Sequence, residues 1–344
     1  MNRITIPNRI NWIDWAKVIA ISFVVFGHIP MNSGSIPLRY ITNFHMPLFF
    51  FISGYLTKKE YFGIETTKKY WHTLIIPYLF YNIVFYPYWI IRHLIEVPHA
   101  GLMDFIKPLI GVFFLQLRTP ISDPLNEVTW FVAVLLIMKL VLSIANLHKN
   151  GIIMISILSV LCALLFICNN HLWICKDLPI IGFYRSLPFF IIGHLCKQRA
   201  LFPMVPTRHD LYYCLGGIGI SVISFYYLFM QPSSMVKSSM TYLVAAISII
   251  GVISFCRLLD KIHSSIIDNL SIGTIVIMGL HWMLIGTTNY ILSKILHIEG
   301  EITYLLGIAI ILTIFFEALL YPIIILFIKK YPYLLGKYTT MRSH

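Results

Sequence analysis

Charge is what this sequence has least of. Only 12% of its 344 residues are Asp, Glu, Lys or Arg, and just 14 of them are acidic. Soluble domains carry about a quarter charged residues, because a surface in contact with water needs them. With 58% hydrophobic residues and a mean hydropathy of +0.80, most of the outer surface must face lipid. The composition excludes a soluble globular protein and predicts an integral membrane protein.

Cysteine is also scarce. The six cysteines are scattered along the chain, and none has the spacing of a zinc site, so the sequence predicts no metal centre. Cys168 and Cys175 lie close together in sequence, and whether they form a disulfide is left open.

Long apolar runs, by contrast, recur throughout. They reach about 20 residues, enough to cross roughly 30 Å of hydrocarbon. They are continuous rather than alternating, which favours helices over a barrel. The sequence therefore predicts an all-α, polytopic integral membrane protein of about ten transmembrane helices, in a single domain (1–344) without a separate soluble domain. The predicted spans are 11–29, 41–57, 73–92, 128–146, 151–168, 180–196, 211–230, 239–256, 271–292 and 303–328.

The basic residues predict the orientation of these spans. With the N-terminus inside, sixteen of the 26 Lys and Arg residues fall in cytoplasmic segments and seven in outer loops. The positive-inside rule then predicts that both termini are cytoplasmic, in the cell (inner) membrane. The net charge of +12 therefore reflects topology, and no nucleic-acid partner is expected. The longest outer loop, 93–127, contains an apolar stretch (105–117) that predicts a half-buried or interfacial helix, and the loop either covers a substrate or serves as a connector.

The first span carries an unusual row of polar side chains. Asp14 and Lys17 are three residues apart and can pair on a helix. Lys17 and His28 are eleven residues apart, which places them on one face about 16 Å apart along the axis. A charge in mid-membrane costs about 2.5–3.5 kcal/mol on insertion scales, so this row needs a function. The alternative is that Lys17 and His28 each reach towards the nearest lipid headgroups.

Later spans add further polar residues. His45 is expected at the same depth as His28, and two imidazoles there indicate proton chemistry. Ser53 is better explained by helix packing than by a role as nucleophile. Glu317, in the last span, needs a cation or a proton; the possible cations are Lys139, Arg185 and His281. The candidate substrate contacts are Glu127, Trp130, Arg185, His281 and Ser53.

Several phrases, taken in order, resemble the acyltransferase-3 family of membrane O-acyltransferases, and most closely its fucose 4-O-acetylase-like branch. They are W-I-D-W-A-K at 12–17, V-V-F-G-H at 24–28, F-H-M-P-L-F-F-F-I-S-G-Y at 44–55, L-I-I-P-Y at 74–78, T-W-F at 129–131, L-P-F-F-I-I-G at 187–193 and G-L-H at 279–281. The basic residue, ten-residue gap and histidine of that family map onto Lys17 and His28, with Lys17 standing where many members have Arg.

The resemblance implies ten core helices, acetyl-CoA or another acyl-CoA as donor, and a hydroxyl acceptor on a glycan or lipid-linked sugar. Our hypothesis is direct transfer, with His28 as general base, His45 sharing its proton and Asp14 holding Lys17. The phosphates of CoA would bind four cytoplasmic lysines: Lys58, Lys59, Lys68 and Lys69. Two alternatives stay open: an acyl-enzyme intermediate, or a secondary carrier or flippase for a sugar or lipid-linked precursor.

Overall fold

A computed structural model describes residues 9–32, 34–172, 178–202, 207–230, 235–298, 300 and 302–337. Within these ranges the chain forms thirteen α-helices, and a π-helical turn, Trp71–Ile75, joins the third to the fourth. The helices are α1 (Asn11–His28), α2 (Ile36–Leu56), α3 (Ile64–Tyr70), α4 (Ile76–Glu96), α5 (Leu102–Phe113), α6 (Trp130–Ala145), α7 (Gly151–Leu172), α8 (Leu178–Gln198), α9 (Arg208–Met230), α10 (Met235–Leu258), α11 (Ser265–Ile272), α12 (Thr274–Ile295) and α13 (Leu306–Lys330). Short 3-10 turns cover Glu127–Thr129 and Pro332–Leu335.

Eight helical segments in the described part of the chain are long and apolar enough to cross a membrane. They are Ile64–Glu96, Glu127–Ala145, Gly151–Cys168, Pro179–Gln198, Arg208–Met230, Val236–Leu258, Thr274–Ile295 and Leu306–Lys330. Helices α1 and α2, with 18 and 21 residues, fall outside this group. The prediction of an all-helical, multi-pass membrane protein is confirmed. The count of ten spans and the orientation of the termini stay predictions.

The predicted spans match the helices closely, with three informative differences. The third span is longer than predicted, because α3 and the π-helical turn run into α4 without a break. The ninth is interrupted at Gly273, where a β-carbon would lie 2.5 Å from the side chain of Ile324. In the long loop, α5 begins three residues before the predicted stretch and ends four residues before its end. It ends early because Leu115 and Gln116 have φ angles of 56° and 65° and cannot continue a helix. Cys175 lies outside the described residues.

Two glycines bring α2 and α8 into backbone contact. A β-carbon at Gly54 would lie 1.9 Å from the carbonyl oxygen of Phe190, and one at Gly193 would lie 2.1 Å from that of Phe51. Only glycine permits such an approach, which is typical of helix packing in membranes. The contact fixes α2, against which α1 packs.

Helix α1 lies in the interior of the bundle. It packs against α2, α10, α12 and α13, and the side chains of Ala16, Ala20, Ile21 and Val25 are completely buried. Lys17 and His28 are therefore not directed at lipid headgroups from a peripheral helix. Each of them lines a half-open cavity, described below.

Candidate functional site

Two cavities lie along α1. The first, the Lys17 cavity, has a volume of about 180 Å³ and is lined by Lys17, Ser53 and Thr73 among mainly apolar side chains. The second, the His28 cavity, has a volume of about 690 Å³ and lies at the other end of α1. Lys17 and His28 thus line two separate cavities at opposite ends of α1.

Helix α12 lines both cavities. Its residues Thr274, Ile275 and Met278 face the Lys17 cavity, whereas Trp282 and Ile285 face the His28 cavity. His281 lies between these two groups, three residues after Met278, which is less than one helical turn. The boundary between the two cavities therefore falls at His281.

His281 contacts His28 at this boundary. Its Nε2 lies 3.1 Å from His28 Nδ1, and the ring centroids are 5.0 Å apart. His281 is completely buried, whereas His28 is half-buried and lines the larger cavity. The imidazole that meets His28 thus comes from α12 rather than from α2, where His45 was expected to supply it.

The hydrogen bonds assign the protons on both rings. His28 Nδ1 lies 2.8 Å from the carbonyl oxygen of Val24, and His281 Nδ1 lies 2.8 Å from that of Ile277. A carbonyl oxygen only accepts, so both Nδ1 atoms must carry hydrogen. His281 Nε2 then accepts from the His28 Nδ1–H, which it shares with Val24. His28 Nε2 is left with a lone pair, as a general base requires.

The His28 cavity combines aromatic faces with hydrogen-bonding groups. The ring of Trp282 lies 6.3 Å from that of His28, at an interplanar angle of 35°. Arg92 Nε donates to Glu96 at 2.7 Å, and the Tyr304 hydroxyl donates to Asn289 Oδ1 at 2.6 Å. Such a wall can hold a ligand that presents both an apolar face and several hydroxyl groups.

The chain that follows α1 is tied to a distant loop beside this cavity. The backbone N–H of Tyr304 donates to the carbonyl oxygen of Pro30 at 2.8 Å, and Met31 pairs with Tyr304. Pro30 and Ile302 both line the cavity. These contacts fix the segment directly after His28.

Asp14 does not pair with Lys17, which corrects the sequence-based expectation. Its Oδ2 lies 2.5 Å from Arg9 Nε, and its Oδ1 accepts from the Ser271 hydroxyl at 2.5 Å. Arg9 precedes α1, so its side chain can fold back to the first turn, where it competes successfully for the carboxylate. Asp14 thus joins α1 to α11, and Lys17 faces its cavity.

The other residues of α2 and α8 near the His28 end form a separate group. His45 is buried and its Nδ1 lies 3.0 Å from the carbonyl oxygen of Ile41. Arg185 donates to the backbone and side-chain oxygens of Asn43, the latter at 3.2 Å. No hydrogen bond joins His45 to His28 in the described residues. Arg185 thus holds α8 to α2.

Two predicted substrate contacts lie away from both cavity walls. Trp130 is buried against Gly182, where a β-carbon would lie 2.1 Å from the indole ring. Glu127 lies 3.7 Å from Arg118 in a partly exposed ion pair. Ser53, another of the five predicted substrate contacts, lines the Lys17 cavity. The structure therefore does not bring Glu127 and Trp130 to the histidine pair.

The four lysines proposed to bind phosphates differ in their surroundings. Lys69 contacts Glu60, and Lys68 Nζ lies 3.4 Å from Glu65. Lys58 is exposed, as is Lys59, whose ammonium group lies 5.6 Å from the ring centroid of Tyr61. Two of the four charges are thus already balanced by carboxylates.

Glu317 contacts none of the three cations considered for it within the described residues. Lys139 lies over the ring of Tyr70 at 5.8 Å, while Arg185 and His281 have the partners given above. The neighbour of the Glu317 carboxyl is the hydroxyl of Ser22 on α1. Its Oε1 is buried without a hydrogen-bond partner.

Sequence reasoning missed several residues of the His28 cavity. Trp282 directly follows the G-L-H phrase, so its position in the chain was a usable signal. Arg92 and Asn289 gave no signal, because each stands at the outer end of a predicted span, where polar residues are common.

A family model described as an acyltransferase domain matches residues 10–328. No curated protein and no solved structure matches the chain. The matched range includes α1 with Lys17 and His28, and α12 with His281. The chain therefore belongs to the acyltransferase-3 family and is a multi-pass membrane enzyme that transfers acyl groups.

Proposed function

We propose that this protein transfers an acetyl group from cytoplasmic acetyl-CoA to a hydroxyl of a sugar in an extracytoplasmic or lipid-linked glycan, with His28 as general base. One observation carries the proposal: His28, whose Nδ1 lies against the Val24 carbonyl and His281, lines the larger cavity, while Lys17, on the same helix, lines the smaller one. Donor and acceptor can thus approach from opposite ends of α1.

The chemistry needs one base and correct positioning. His28 Nε2 takes the proton of the acceptor hydroxyl as its oxygen attacks the carbonyl carbon of the thioester. The carbon–sulfur bond of the tetrahedral intermediate then breaks, and the imidazolium returns the proton to the departing thiolate. The products are the ester and free CoA. Holding both substrates at one point supplies much of the rate, because the thioester is already activated.

The linings favour direct transfer over an acyl-enzyme. No cysteine lines either cavity in the described part of the chain, and the serines that do, Ser53 and Ser293, are not hydrogen-bonded to a histidine there. A serine nucleophile requires an adjacent base. The histidine pair is instead positioned to activate a hydroxyl of the substrate.

The walls of the His28 cavity support a sugar as the acceptor. A sugar ring has apolar faces edged by hydroxyl groups, and the cavity offers Trp282 beside Asn289 and the Arg92–Glu96 pair. The aromatic ring would pack on one sugar face and bring one hydroxyl to His28. The cavity volume of about 690 Å³ falls within the range of ligand pockets.

Mass spectrometry of surface glycans tests the proposal in cells that carry wild type, His28→Ala or His209→Ala. His209 is exposed on α9 and serves as the matched control. We expect His28→Ala to lose the acetyl adduct at normal protein level, because a general base contributes about 10²–10⁴ in rate. An unchanged acetylation pattern in His28→Ala would rule out its role as base.

A further inference from the structure

Three cations meet at the Lys17 end of α1. Arg9 takes both nearby carboxylates, with its Nε 2.5 Å from Asp14 and its Nη2 3.2 Å from Asp268. Among the charges that act on the ammonium group of Lys17, that of the Asp14 carboxylate is the largest, and those of Arg9 and Lys337 oppose it. No salt bridge involves Lys17 or Lys337 in the ranges that the structure describes. The three cations thus face the two carboxylates of Asp14 and Asp268, which leaves one positive charge in excess.

The segment after α13 places Lys337 at this site. Gly336 has a φ of 67°, which favours glycine, and a β-carbon there would lie 2.5 Å from the carbonyl oxygen of Thr73. This close approach brings the segment against the π-helical turn, so that Leu335 and Gly336 line the Lys17 cavity. Lys337 directly follows Gly336 in the chain and is half-buried.

The surroundings of Lys337 disfavour the positive charge of its side chain. Burial lowers the pKa of its amine below the usual value, and the charge of Arg9 lowers it further. Two ammonium groups that repel each other at the edge of a partly buried cavity are stabilised by a bound anion. A phosphate group can serve as this anion, because each of its oxygens can accept hydrogen bonds from both amines.

We infer that Lys337 and Lys17 together bind a phosphate group of the acyl donor at the rim of the Lys17 cavity. The inference rests on the proposed function, in which the donor is a CoA thioester. It moves a main phosphate contact from the predicted lysines to a residue near the C-terminal end of the chain. Lys68 and Lys69 are already paired with Glu65 and Glu60, whereas no salt bridge holds Lys17 or Lys337 within the described ranges.

Binding measurements test the inference without requiring turnover. The dissociation constants of CoA and of pantetheine, which lacks the phosphates, are measured by calorimetry on wild type, Lys337→Ala and Lys337→Arg. Lys330→Ala, which changes an exposed lysine at the end of α13, is the matched control. The full chain is held in phosphatidylcholine nanodiscs, with and without phosphatidylglycerol.

We expect Lys337→Ala to weaken CoA binding about tenfold, the loss of one charge-assisted contact. Pantetheine binding should stay the same, Lys337→Arg should restore CoA binding, and Lys330→Ala should resemble wild type. Equal weakening of CoA and pantetheine, or unchanged CoA binding, would overturn the inference. Loss of stabilisation by phosphatidylglycerol with unchanged CoA binding would assign the site to a lipid headgroup instead. If wild type binds no CoA, the proposed donor fails as well.

Discussion

Replacing His281 distinguishes its role, which is to orient the ring of His28, from the role of His28 as the base. In His281→Ala, the Nδ1–H of His28 loses one of its two acceptors, at 3.1 Å, and keeps the carbonyl oxygen of Val24, at 2.8 Å. The protonation pattern of His28 therefore persists, because Val24 alone still requires hydrogen on Nδ1. His28 Nε2 stays available as the base, but the ring is less firmly oriented.

The expected loss can be estimated from that single hydrogen bond. A neutral hydrogen bond contributes about 0.5–1.5 kcal/mol, and about 1.4 kcal/mol corresponds to a factor of ten in rate. We therefore expect kcat to fall about 2- to 10-fold in His281→Ala. His28→Ala should lose about 10²–10⁴.

The assay is release of free CoA from acetyl-CoA by the purified protein in the presence of acceptor, with thermal unfolding recorded for each variant. His281→Gln is the matched variant, since its amide oxygen can accept from His28 in place of Nε2, and it should retain more activity than His281→Ala. If His281→Ala is as inactive as His28→Ala while still folded, the assignment of the base to His28 is wrong.

Two further predictions concern the helical frame. Gly54→Ala places a β-carbon 1.9 Å from the carbonyl oxygen of Phe190, so we expect the free energy of unfolding to fall by about 1–3 kcal/mol or more. Gly219→Ala is the control, because a β-carbon there would have no atom within 4 Å. Equal melting temperatures for the two variants would contradict the close contact at Gly54. Asp210→Asn should destabilise the protein by about 3–5 kcal/mol, because it removes the negative charge that lies 2.7 Å from the buried guanidinium of Arg257. Denaturant titration measures the free energy of unfolding, and a change near zero would refute the prediction.

The helices were predictable because the bilayer leaves few choices. An apolar run of sufficient length must form a helix, so most span ends lie within a few residues of the observed ones. The shared face of Lys17 and His28 followed from helical periodicity alone. Both inferences use distances along the chain, which the sequence contains directly.

The partners across helices were not predictable in the same way. His281 meets His28 although 253 positions separate them, and nothing in either segment specifies that α12 rather than α2 supplies the second imidazole. Asp14 had a cation three residues away, yet Arg9 is preferred, because Arg9 also reaches the backbone of Asp268 and gains a second anchor. Such choices depend on how helices pack, and hydropathy does not encode that.

The backbone contact between α2 and α8 has a mechanical consequence. Helices that touch without intervening side chains cannot slide or tilt past each other without steric overlap, so this side of the bundle behaves as a stiff wall. Any widening that admits a long thioester to the histidines must then involve other helix pairs, such as α4 and α12, where tyrosine side chains of α4 lie against glycines of α12. Catalysis would then proceed beside one fixed pair of helices, α2 and α8, while other helices move.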